Sequence, residues 1–62
     1  MKAYKSMLIA HIPHSVVEKK IYGGNTYWAI VKGGPVNNEI IHRFDGRNEA
    51  VAMLMNLYEL AA

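Results

Sequence analysis

Cysteine is absent from this chain, and with it every disulfide and every thiolate metal site. That absence matters at 62 residues. A domain of this size buries only about 60% of the surface its unfolded chain exposes. Below roughly 70–80 residues, natural domains usually add a disulfide, a metal or a partner subunit. Without cysteine the remaining routes are tight packing, a histidine-based metal site or oligomerisation.

Serine is nearly absent too. Ser6 and Ser15 are the only two, and neither sits in the glycine-flanked turn that presents a nucleophile. Ser15 follows His14, which is adjacency in sequence and not the geometry of a catalytic pair. The five carboxylates, Glu18, Glu39, Asp45, Glu49 and Glu59, are scattered along the chain. Gly23-Gly24 and Gly33-Gly34 lack both the Lys-Ser/Thr tail of a phosphate loop and the dinucleotide-binding spacing. These gaps predict a non-enzyme with no cofactor.

Long apolar runs are missing as well. Met7–Ile12 falls far short of the ~18 residues of a membrane span, includes His11 and ends at Pro13. Lys2 and Lys5 precede it, but no small-residue cleavage pattern follows, so a secretory signal is not expected. The expected location is cytoplasmic, with no membrane partner. Strong charge is lacking: seven Lys and Arg against five acids leave a formal +2. That bias is too weak for a polyphosphate-binding surface. His11 and His14 have a chelating spacing and His42 could complete a set, yet no carboxylate near Pro13 supports them. No metal site is expected.

What the chain does have is short segments punctuated by Pro13, Gly23-Gly24, Gly33-Gly34-Pro35 and Gly46. Residues 3–12 fit a strand by alternation, and Pro13 disfavours a helix up to Ile12. Residues 16–22 are strand-compatible, and their adjacent lysines suit a sheet edge. Residues 26–32 (TYWAIVK) are β-branched and aromatic almost throughout and should pair with 16–22 across Gly23-Gly24-Asn25. Residues 39–44 form the next strand, with Ile40, His42 and Phe44 on one face and Glu39, Ile41 and Arg43 on the other. Asp45 or Gly46 then caps a helix running to the C-terminus. A Gly46 cap puts Glu49 at the position that favours free amides and the positive end of the dipole.

The sum is one α+β domain over residues 1–62. It is a small antiparallel sheet of three to four strands, in the order β-β-β-β-α, with the C-terminal helix across one face. Trp28, Ile30, Ile40, Phe44, Leu54 and Leu57 are the expected core. Ala50 and Ala61 are also expected to meet the sheet.

The helix carries the functional expectation. At about 100° per residue, Asn48, Glu49, Ala52, Asn56 and Glu59 fall within one arc of roughly 100°. The rest, about 220°, is apolar or small apart from Arg47. One sheet needs a stripe little more than ~100° wide. The excess predicts a protein-binding module, an accessory regulator or inhibitor that is also a homodimer. Met53 and Leu60 at one margin of the arc, and Met55 at the other, are the expected partner-binding residues. The alternative is a nucleic-acid-binding regulator. In it Lys19, Lys20, Lys32 and Arg43 would gather on a sheet face, with Tyr22, Tyr27 and Trp28 supplying stacking surfaces.

Overall fold

The computed structural model describes residues 3–61. Strands β1 (Ala3–Ile9), β2 (Ile12–Lys20), β3 (Thr26–Gly33) and β4 (Asn38–Phe44) form one antiparallel sheet, and helix α1 (Arg47–Ala61) follows. The spatial order is β1-β2-β3-β4, so each strand pairs with its neighbour in sequence. The helix packs across one face, and the expected α+β architecture is present.

The strand expected over residues 3–12 is two strand ends and a turn. β1 stops at Ile9, and Ile9 pairs with Ile12 across Ala10-His11. Both turn residues have positive φ, 52° and 68°. That is the two-residue turn whose twist matches a hairpin, built without the usual Asn-Gly. Alternation cannot reveal it, because Ala and His are poor markers of a left-handed turn. Pro13 is accommodated because it opposes Leu8 while β2 meets β3 only from His14 onward. Its missing N–H therefore leaves no ladder bond unmade.

β2 is consequently an interior strand and not the expected edge; the edges are β1 and β4. It ends at Lys20. Residues 21–25 form the connection, closed by the Ile21 N–H to the Asn25 carbonyl (2.8 Å) and the Gly24 N–H to the Ile21 carbonyl (3.2 Å). Gly23 and Gly24 take the positive φ that this tight return requires.

A bulge in β4 changes which residues share a face. Ile30 opposes His42, but the adjacent Val31 opposes Ile40, so Ile41 is the extra residue. Ile41 turns to the helix side with Phe44, and Ile40 turns away. The core on the helix side holds Ile9, Val16, Ile30, Ala50 and Leu54, with Met7, Trp28, Ile41, Phe44, Val51, Met53 and Leu57 packed against it. Of the expected core only Ile40 is misplaced: it packs on a smaller cluster of Val17, Ala29 and Val31 on the other face. Ala61, expected against the sheet, is exposed.

The helix begins at the glycine. The Gly46 carbonyl accepts from the Ala50 N–H (3.3 Å), which makes Gly46 the cap. The Glu49 carboxylate folds back to 2.9 Å from where a Gly46 Cβ would stand. A carboxylate at that position favours the unpaired amides of the first turn.

Candidate interaction surfaces

Burial divides the apolar arc of the helix into a part that is used and a part that is free. Ala50 and Leu54 are fully buried, and Val51, Met53 and Leu57 are half-buried. Left in water are Met55 (39% exposed), Tyr58 (47%) and Leu60 (77%). Met53, expected at a free margin, packs on the core beside these neighbours. Leu60 and Met55 lie at the two margins, about 140° apart on the helix. Tyr58 is three residues from Met55 and shares its side. Nothing in the sequence singles out Tyr58, since a half-polar side chain is an ordinary surface residue.

The four candidate cations do not share one face. Lys19 opposes Tyr27 and Arg43 opposes Ala29, which places both on the face away from the helix. Lys20 and Lys32, one residue out of phase, project on the helix side. Along the sheet, Lys19, Lys20 and Arg43 sit at the end nearest the 21–25 connection, and Lys32 sits at the other end beside Glu39. The aromatics are divided in the same way. Trp28 packs on the helix-side core and meets Tyr4 edge-on, with centroids 5.8 Å apart and planes at 78°. The Arg47 guanidinium covers the Tyr4 ring at 4.7 Å. Tyr27 lies on the open face, with the Arg43 guanidinium 5.4 Å from its centroid. Tyr22 is wholly exposed in the connection.

The open face has its own relief. Its floor is Val17, Ala29 and Val31. A groove of about 430 Å³ crosses it, lined by residues that include Ser6, Ser15, Val17, Val31 and Pro35. The Ser6 and Ser15 hydroxyls meet at 3.1 Å. The loop at one wall is held by the Gly34 N–H to the Asn37 carbonyl (3.0 Å) and the Asn38 side-chain amide to the Gly34 carbonyl (2.9 Å).

The histidines stand apart in role. His11 occupies the first turn and is exposed. His14 is buried opposite Met7 and Lys32, and its Nδ1 donates to the Ile12 carbonyl at 2.8 Å. His42 stacks on Phe44 with centroids 6.1 Å apart. Among the described residues no three His, Cys, Asp or Glu side chains group as metal ligands. Nor is any described helix long and apolar enough to cross a membrane.

Comparison of the chain with protein-family models, with curated proteins and with solved structures finds no match in any of the three.

Proposed function

We propose that this chain is a non-catalytic protein-binding module that pairs with a second copy of itself through α1 and acts as an accessory regulator or inhibitor in the cytoplasm. The observation that carries the reading is apolar helix surface left in water: Met55, Tyr58 and Leu60. Pairing two copies along one margin of the helix gives a self-complementary contact, the form a twofold dimer requires.

Sedimentation equilibrium at tens of micromolar should return about twice the 7.0 kDa chain mass. Leu60→Glu combined with Met55→Glu should return the chain mass while the circular dichroism spectrum stays folded, because both side chains stand clear of the core. A monomer at every concentration for the unaltered chain would overturn the dimer. Met53 is not a suitable probe, since it is half-buried against the core and a charge there would destabilise the domain as well as alter its surface.

A further inference from the structure

We propose that the sheet face opposite the helix is a second binding surface, and that it takes single-stranded nucleic acid. The inference does not depend on the helix reading, since the two surfaces lie on opposite sides of the sheet. It starts from strand register. Alternation sends Glu18 and Glu39 to the helix side, together with Lys5, Lys20 and Lys32. Among the described strand residues, the charged side chains left on the open face are Lys19 and Arg43, both cationic. No described strand carboxylate stands on that face; the nearest in sequence is exposed Asp45, in the bend just past β4.

The two cations flank one aromatic. Lys19 is directly opposite Tyr27 in the β2–β3 ladder, and the Arg43 guanidinium lies 5.4 Å from the Tyr27 ring centroid. A tyrosine and a guanidinium plane are the platforms on which unpaired bases stack. The N–H groups of Arg43 and the ammonium of Lys19 can then meet the phosphates on either side of a stacked base. Further along the same face, toward the 34–37 loop, the groove over Val17 and Val31 passes the Ser6 and Ser15 hydroxyls, which can bond sugar or base edges. A duplex hides its base faces and so cannot use the platform.

The test is fluorescence anisotropy of a short fluorescein-labelled oligothymidylate titrated with the full chain at several salt concentrations. Two phosphate contacts to a single strand predict a slope of log affinity against log salt near −1.4, about 0.7 per contact. Lys19→Gln and Arg43→Gln should each flatten the slope by about 0.7. Tyr27→Leu should weaken binding about 5- to 150-fold with the slope unchanged, reflecting one lost base stack. Lys20→Gln and Lys32→Gln, on the other face, should change neither. The same sequence in duplex form should bind more weakly. If Tyr27→Leu fails to fold, the four charge variants decide alone. Absence of binding at low salt would overturn the proposal. So would a Lys20/Lys32 double change as damaging as the Lys19/Arg43 one, or duplex binding as tight as single-strand binding. Because Leu60→Glu leaves the open face untouched, loss of the dimer with retained oligonucleotide binding would separate the two readings.

Discussion

His11 shows how much of this fold depends on one unusual residue conformation. It sits at φ 68° in a two-residue turn, next to Ala10 at 52°. A side chain with a Cβ is held there at a cost of about 1–2 kcal/mol, which glycine avoids. His11→Gly should therefore raise stability by about 1 kcal/mol, read as a rise in Tm of about 4–8 °C for a domain of this size. A fall in Tm would mean that the imidazole makes a contact worth more than the backbone strain. Gly33 is the reverse case. Its φ is 121°, and a Cβ there would run into the Asn37 carbonyl. Gly33→Ala should cost at least ~1–3 kcal/mol and loosen the 34–37 loop that walls the groove. Urea titration of the variant gives that number directly, and a midpoint unchanged from the parent would refute the reading.

At the scale of elements, the helix holds the sheet through a narrow line of side chains. Leu54 is fully buried among Ile9, Val16 and Ile30, so Leu54→Ala should cost about 2–5 kcal/mol. Native domains are stable by only about 5–15 kcal/mol, and small ones sit at the low end, so the variant should be largely unfolded at 37 °C. Leu60→Ala, on the exposed side of the same helix, should change the stability of the isolated chain by less than ~0.5 kcal/mol. Chemical denaturation at a protein concentration low enough to dissociate a dimer makes the comparison. Equal costs would show that the helix is rotated from the observed phase. The edge strands differ in their protection. β4 carries a bulge at Ile41 with Glu39 and Arg43 nearby, and β1 has a register shift between Ala3 and Lys5. Irregularities and charges of this kind discourage further strands from adding to a sheet.

The whole molecule is thin, 39 × 25 × 16 Å, one helix layer on one sheet layer. Such a body has two broad faces, and each poses a separate question. The helix face offers apolar surface, so its association should depend weakly on salt and strongly on protein concentration. Tm should accordingly rise with protein concentration, and differential scanning calorimetry over a hundredfold range checks this. A constant Tm would argue against coupled folding and pairing. The open face offers two cations around a tyrosine, so its binding should weaken steeply as salt rises. Opposite salt behaviour assigns each activity to its face without a partner being known.

The amino-acid sequence by itself determined the β-β-β-β-α order, the TYWAIVK and EIIHRF strands, a helix start at Asp45 or Gly46, and the Ala50–Leu54–Leu57 line of the helix; the Ala50 N–H to the Gly46 carbonyl then decided for Gly46. These features are local: period, capping chemistry and β-branched runs act over a few residues and leave their mark in the spelling. The sequence also carried the excess of apolar helix surface, since that is a count around one axis. Only the tertiary structure decided the rest. The Ala10-His11 turn has no turn-forming residues to announce it, and it made β2 an interior strand instead of an edge. The Ile41 bulge moved Ile40 out of the core, because one extra residue in a ladder inverts the facing of all that precede it. The same parity split Lys19 and Arg43 from Lys20 and Lys32, and Tyr27 from Trp28. Which side chains share a face depends on register between strands, and register is a property of pairs of strands that no single segment records.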